Sequence, residues 1–344
     1  MILKKKKMNI EKIAKMAGVT VGTVSKVLNK KAIVSPSVQR KIEQLLEDAG
    51  YVSRIQRKPV FLLTRYADSI ELPSNIMMIG VTQAAAAHGL NFSTKFIHVP
   101  YHAEPNPDDF KAIVAQKPAG ILVDVNYPWP KEMLDILREA RVPIVQLGME
   151  NDITGLASVT SDSFKGAYEG VRKLIEKGNK RIGIIRWQFS KNSPEPSPSN
   201  SVLKFAGYNT ALNEAGIALD KRLVQTIYHF DENYSAARAR KILDDYLRLE
   251  NPPTAVFVEN SFCSAPVIFP SPSDGGKLDE KHSRIQFLHF EEYILDSFLN
   301  PLCRDLGVKI PPSIFIRPDF KAIGAAAVDL LISIERGTAK NDCN

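Results

Sequence analysis

Cysteine is scarce in this chain of 344 residues: Cys263, Cys303 and Cys343 stand far apart. The spacing excludes a disulfide framework and a Cys-based metal centre, and it suits ordinary thiols in a reducing compartment. No run approaches the roughly 18 consecutive apolar residues that a membrane span needs. The first eight residues carry four lysines with no apolar stretch behind them, so no secretory signal is read there and a cytoplasmic protein is expected. Gly-x-Gly-x-x-Gly, a phosphate-binding loop and a nucleophile elbow are all missing. The six histidines show no metal-ligand or catalytic spacing. These absences argue against an enzyme, and no cofactor or metal is expected.

What is present is positive charge, unevenly spread. The net charge of +7 hides a division. Residues 1–58 hold 14 Lys and Arg against 4 Asp and Glu, whereas the other 286 hold 31 against 34. The asymmetry predicts a polyanion-binding module joined to a near-neutral body. Lys4–Lys7 fit a solvated tail, but the other ten cations lie in a patterned segment. At roughly 150 residues per domain, the length suits two or three folded units.

In that segment Ile10, Ile13, Ala14 and Ala17 follow the apolar stripe of a helix, with Asn9 as its cap and Gly18 as its stop. Thr20 caps a second helix, Val21 to Leu28, with Val24, Val27 and Leu28 inward. Ser35-Pro36 opens a third, whose stripe is Val38, Ile42, Leu45, Leu46 and Ala49. Three short helices with a tight first turn describe a helix-turn-helix, whose second helix enters the major groove. Its outward positions, Val21, Gly22, Thr23, Ser25, Lys26 and Asn29, are small or polar. Lys26 suits guanine or phosphate, Val21 a thymine methyl, and Thr23, Ser25 and Asn29 phosphates. Pattern alone also permits a three-helix bundle with a solvated basic face.

The string from Asn9 to Asn29, above all Ala17-Gly18-Val19-Thr20 and Thr23-Val24-Ser25-Lys26-Val27-Leu28-Asn29, resembles the headpiece signature of the lactose/galactose repressor (LacI/GalR) family. It continues with Val34-Ser35 and Gly50-Tyr51. The resemblance implies a DNA-binding headpiece over residues 8–52, with Thr20, Val21, Gly22, Thr23, Ser25, Lys26 and Asn29 at the DNA. Lys26 replaces the family's usual arginine, a point donor in place of a fork, which weakens base discrimination there. The family's hinge helix, which wedges a side chain into the minor groove, is expected after this. Here residues 53–60 lack its landmarks, and Pro59 opposes helix. The linker keeps Arg54, Arg57 and Lys58 as phosphate contacts, either without a full hinge helix or as a flexible basic connection.

From residue 61 to 337 the expected architecture is α/β. Strands are read at 61–64, 120–125, 143–147, 181–187, 224–230, 254–258, 285–290 and 313–316. Helices are read near 74–88, 107–116, 130–141, 163–177, 201–215, 233–248 and 320–335. Such alternation means doubly wound parallel sheets with helices on both faces, and this many strands suit two sheets. Val159-Thr160-Ser161-Asp162 with Gly166-Ala167, Gly207-Tyr208 with Ala211-Leu212, and Pro253-Thr254-Ala255 before Asn260 are similar to strings of the same family. They imply two lobes like those of type I periplasmic binding proteins, with a small ligand, a sugar or related metabolite, between them.

Ligands of such sheets sit beyond the carboxyl ends of strands. The candidates are Asp68, Asp124 and Asn126 from the first lobe, with Tyr66 and Trp129 as weaker ones. From the second they are Arg186, Trp187, Lys204, Asn260 and Glu291, with Glu292 nearby. The resemblance places Lys204 where the family has a ligand-binding arginine, Asn260 at a pocket asparagine and Glu291 at a pocket aspartate. Prolines 266, 270 and 272 interrupt the helix expected after Asn260. The implied protein is a repressor of transcription, a homodimer on near-palindromic operator DNA with a small-molecule effector. A free solute-binding protein lacks a reason for the headpiece, and a DNA-binding protein without effector control is the rival reading.

Overall fold

A computed structural model describes residues 9–28, 34–49, 58–66, 72–98, 106–124, 129–148, 156–188, 199–228, 237–260, 263–264, 267, 280–290 and 311–339. It opens with α1 (Ile10–Ala17), α2 (Val21–Leu28) and α3 (Pro36–Asp48). Asn9 is extended, and its Oδ1 accepts the Lys12 N–H at 3.0 Å. Gly18 ends α1 at φ 74°, a left-handed conformation that glycine adopts without steric cost. Thr20 Oγ1 then accepts the Thr23 N–H at 3.1 Å and starts α2. The three apolar stripes close on one small core of Ile13, Ala14, Ala17, Val24, Val27, Ile42, Leu46 and Ala49.

The rest of the chain alternates as expected: β1 (Val60–Tyr66), α4 (Leu72–Ala87), β2 (Phe92–His98), α5 (Pro107–Ala115), β3 (Gly120–Asp124), α6 (Lys131–Glu139), β4 (Ile144–Gly148), β5 (Ala157–Thr160), α7 (Ser163–Glu176), β6 (Ile182–Gln188), α8 (Ser199–Glu214), β7 (Val224–Tyr228), α9 (Ala237–Leu247), β8 (Ala255–Val258), α10 (Glu280–Ser283), β9 (Gln286–Phe290), β10 (Ser313–Ile316) and α11 (Phe320–Glu335). The strands form two parallel five-stranded sheets, ordered β2-β1-β3-β4-β5 and β10-β9-β8-β6-β7. By contacts the chain divides into two compact units, one of residues 1–148, 154–159 and 320–344, the other of 149–153 and 160–319.

In the first unit the central strands are buried on both faces, which explains their near-continuous apolar runs. Phe61, Leu63, Ile121, Val123 and Ile144 pack against Phe110 and Ile113 of α5 and Met133, Leu134 and Leu137 of α6. α11 covers β3 and β4 and packs along α4, which itself touches β2, and α11 arrives from beyond the second unit in sequence. Gly80 and Gly324 allow these two helices to touch backbone to backbone.

Two strands went unread in the sequence, β2 and β5, and both are sheet edges. An edge strand needs less apolar cover. Accordingly β2 buries Ile97 but exposes Phe96, and β5 is buried only at Ala157. A second correction concerns Val60, read as the last linker residue. It starts β1, is fully buried, and donates its N–H to Asn91 O at 2.8 Å. Thus it belongs to the core of the first unit, not to the linker.

The second unit has its own core. Ile182, Ile184, Phe257, Leu288 and Phe290 meet Ala167, Val171 and Leu174 of α7 and Tyr208, Ala211 and Leu212 of α8. Because β6 and β8 are parallel neighbours with Ile185 opposite Val258, their carboxyl ends finish side by side. That register sets Arg186 and Trp187 next to Glu259 and Asn260.

Candidate functional site

Two places carry the predicted functional residues. The first is the outer face of α2. Val24 and Val27 turn into the headpiece core, which leaves Thr20, Val21, Gly22 and Lys26 exposed and Thr23 and Ser25 half-buried. Val21 is 45% exposed, high for a valine in so small a module. Gly22 has ordinary helical backbone, and a Cβ there would meet nothing closer than Thr20 Oγ1 at 3.7 Å. The fold therefore does not require glycine at this position. Lys58 is half-buried immediately before β1. Asn29, Arg54 and Arg57 lie outside the described residues.

The second place is the carboxyl edge of β6 and β8, where Glu259 is the centre of a buried polar cluster. Its N–H continues the sheet by donating to Ile185 O at 3.0 Å. Its Oε2 accepts the Trp187 N–H at 2.8 Å and the Ser201 hydroxyl at 2.9 Å. Its main-chain oxygen accepts Lys204 Nζ at 3.2 Å. Ser201 in turn takes Arg186 Nη2 on its hydroxyl at 3.2 Å and on its carbonyl at 3.4 Å. Two aromatic rings flank the cations, Phe205 at 4.6 Å from the Arg186 guanidinium carbon and Phe290 at 4.4 Å from Lys204 Nζ.

Glu259 is 1% exposed and Lys204 2% exposed. Burial pushes the Glu259 carboxyl up to about 7, against the downward pull of Lys204, Arg186, the Trp187 N–H and the Ser201 hydroxyl. The same burial, aided by Glu259, pushes the neighbouring Cys263 thiol up to about 12. A shorter chain of contacts runs from Asn260 O to Ser264 Oγ at 3.4 Å and on to His289 Nδ1 at 2.9 Å. His289 is sandwiched between Phe287 and Phe315, and burial pushes its imidazole down to about 3.

The sequence candidates divide accordingly. Arg186, Trp187, Lys204 and Asn260 come together here, with Lys204 buried instead of open to a ligand. Glu259, Ser201 and His289 were missed. In the first unit Asp124 is buried and accepts the Thr64 hydroxyl at 2.9 Å on Oδ2. Trp129 is a core residue: it packs edge-on against Phe110 and donates its indole N–H to Asp124 O at 2.7 Å. Tyr66 closes β1, while Asp68, Asn126, Glu291 and Glu292 lie outside the described residues. Among the described residues no group of His, Cys, Asp and Glu is arranged to hold a metal, and no helix is long and apolar enough to cross a membrane.

A headpiece of this geometry followed by two parallel-sheet units is matched by two family models. "Bacterial regulatory proteins, lacI family" covers residues 9–53, and "Periplasmic binding proteins and sugar binding domain of LacI family" covers residues 66–264. The chain belongs to the LacI family. It is similar to the HTH-type transcriptional repressor PurR of Vibrio atlanticus, 26% identical over 305 residues and 85% of each chain. It is also similar to catabolite control protein A of Priestia megaterium, 24% identical over 72% of each. Among solved structures, the transcriptional regulator CelR–cellobiose complex superposes with a TM-score of 0.60 at 20% identity, over 97% of this chain and 95% of that one. The lac repressor dimer bound to operator and an anti-inducer gives 0.58 at 18% identity, over 97% and 94%. As a LacI-family member the chain joins a DNA-binding helix-turn-helix to a ligand-binding core of periplasmic-binding-protein type.

Proposed function

We propose that this LacI-family chain is a homodimeric repressor that binds near-palindromic operator DNA and changes its DNA affinity when a sugar or related metabolite binds its core. The observation that carries the DNA half is the exposed face of α2. Val21 and Gly22 lie on it at sites where the fold needs neither an outward valine nor a missing side chain. Close approach to a groove accounts for both, with Val21 against a thymine methyl and Lys26 on guanine or phosphate. Thr20, Thr23 and Ser25 serve as hydroxyl donors to phosphates, together with Asn29 and the linker cations Arg54, Arg57 and Lys58.

The effector half rests on Arg186, Trp187 and Asn260 at one sheet edge, with Lys204 beside them on Glu259 O and with Asp68, Asp124, Asn126 and Glu291 as further contacts. Planar amides, cations and an indole are the groups that a polyhydroxylated ligand needs. The cellobiose in the CelR complex supports the sugar class. Dimerisation is supported by the first unit. Phe96 on edge strand β2 is 59% exposed and Ile79 on the adjacent α4 is 49% exposed, an apolar pair that a second copy would cover.

The test is selection of fragmented genomic DNA on the purified protein, followed by sequencing of what is retained. An enriched near-palindrome with half-sites about one helical turn apart is the expected result. Random recovery, or affinity indifferent to salt, would sink the operator reading, because phosphate contacts release counterions. One observation favours a second reading, a repressor without effector control: Lys204 is already committed to Glu259 O. A thermal-shift panel of sugars, purines and amino acids separates the two.

A further inference from the structure

Every hydrogen-bonding part of Glu259, except one carboxylate oxygen, is engaged by β6 or α8. The N–H holds β6, Oε2 holds both the Trp187 peptide and the first turn of α8, and the carbonyl holds Lys204 one turn later. Oε1 is buried with no hydrogen-bond partner among the described residues, and so is Arg186 Nε. An ionised carboxylate placed this deep is costly unless opposite charge compensates it. Two cations are at hand, yet neither forms a direct ion pair with it. Arg186 reaches it through Ser201, and Lys204 binds its peptide oxygen. The arrangement is thus a carboxylate that orders two cations without neutralising either by contact.

We propose that Glu259 is the positioning residue of the effector site: its carboxylate and peptide group hold Arg186, Trp187 and Lys204 in one constellation, which loosens when the carboxylate takes up a proton from solvent. The inference rests on the effector reading given above. Its physical basis is charge-assisted hydrogen bonding. The Trp187 N–H and the Ser201 O–H each donate to an anion, and such bonds are roughly twice as strong as neutral ones. Protonation removes that advantage and takes away the negative charge that faces Arg186 and Lys204.

The groups that face the carboxyl can be named element by element among the described residues. They are Arg186 from β6, Lys204 with the Ser201 hydroxyl from α8, and Cys263 after β8, with His289 of β9 reached only through Ser264 and Asn260. Burial removes the last two from the neutral range, since Cys263 is pushed up to about 12 and His289 down to about 3. Among these described groups a titration near neutrality fits Glu259, whose own carboxyl is pushed up to about 7.

The chain holds two tryptophans, Trp129 and Trp187, one in each unit. The full-length protein labelled with 5-fluorotryptophan will give two fluorine resonances, assigned with Trp129→Phe. The Trp187 resonance is expected to titrate with a midpoint near neutrality between pH 5.5 and 8.5 and to lose that titration in Glu259→Gln. Should Glu259→Gln fail to fold, Ser201→Ala serves instead, because loss of a donor to the ionised form moves the midpoint upward. A Trp187 resonance flat across this range in the unmodified chain overturns the proposal, as does a titration that persists in Glu259→Gln or a midpoint unmoved in Ser201→Ala. DNA affinity of the same samples, measured by mobility shift, keeps the two readings apart. Loss of DNA binding with the titration intact counts against the repressor reading alone.

Discussion

A Cβ on Gly324 of α11 would overlap the carbonyl oxygen of Met77 in α4, and one on Gly80 would overlap that of Lys321. The two helices therefore touch through reciprocal glycines, and both contacts meet rigid backbone. Gly324→Ala is expected to force the helices apart and destabilise the chain by about 1–3 kcal/mol, the range for overpacking. Urea unfolding followed by far-ultraviolet dichroism checks this. An unchanged midpoint would mean that the pair is looser than the contact implies.

Gly22→Ala should behave in the opposite way. A Cβ has room there, and glycine within a helix costs roughly 0.5–1 kcal/mol relative to alanine. The headpiece is expected to melt at a higher temperature while its operator affinity falls, because the added methyl would sit on the exposed face proposed to enter the groove. Differential scanning calorimetry and a mobility-shift titration on the same preparation report the two effects. A gain in stability with unchanged affinity would remove Gly22 from the interface.

Lys26→Ala is expected to weaken specific DNA binding by about 1–3 kcal/mol if the ammonium reads a base. On random DNA the loss should then be much smaller. Equal losses on both, with a salt slope reduced by about one, would assign Lys26 to a phosphate.

His289 predicts an acid limb of stability. Burial holds its imidazole down to about 3, whereas the unfolded chain protonates near 6.5. Below 6.5 the unfolded state takes up a proton that the folded state refuses, so stability falls as pH drops from about 6.5 towards 3. Glu259 acts in the reverse sense. Its folded value lies above its unfolded one, so its contribution falls as pH rises from about 4.5 to about 7. His289→Gln should accordingly lose less melting temperature than the natural chain between pH 7 and pH 5. An identical loss in both would show that His289 already has a solvated, protonated form.

The headpiece was legible because each helix carries its own boundary chemistry: the Asn9 side chain, the positive φ of Gly18, the Thr20 hydroxyl and Pro36 act within four residues of where they stand. Central strands were legible for a related reason, since burial on both faces demands uninterrupted apolar residues, as in Gly120–Val123 and Ala255–Val258. β2 and β5 were not, because whether a strand lies at a sheet edge depends on partners far away in the chain. Glu259 escaped for the same reason. A carboxylate at the end of a strand reads as surface until Ser201, Trp187 and Lys204 are seen around it. Trp129 misled in the other direction, since an indole at a strand end suits a stacked ligand as well as it suits Phe110.

The return of α11 to the first unit has a consequence for biosynthesis. Val328, Leu331 and Ile332 fill that unit's core, and a Cβ on Gly120 of β3 would press on Leu331. Yet these residues leave the ribosome only after the whole of residues 160–319. Domains usually mature in the order of translation. Here the N-terminal sheet must wait with an uncovered face while the later unit closes first, so the nascent chain passes through a stage in which the half made earlier is the half most in need of a chaperone.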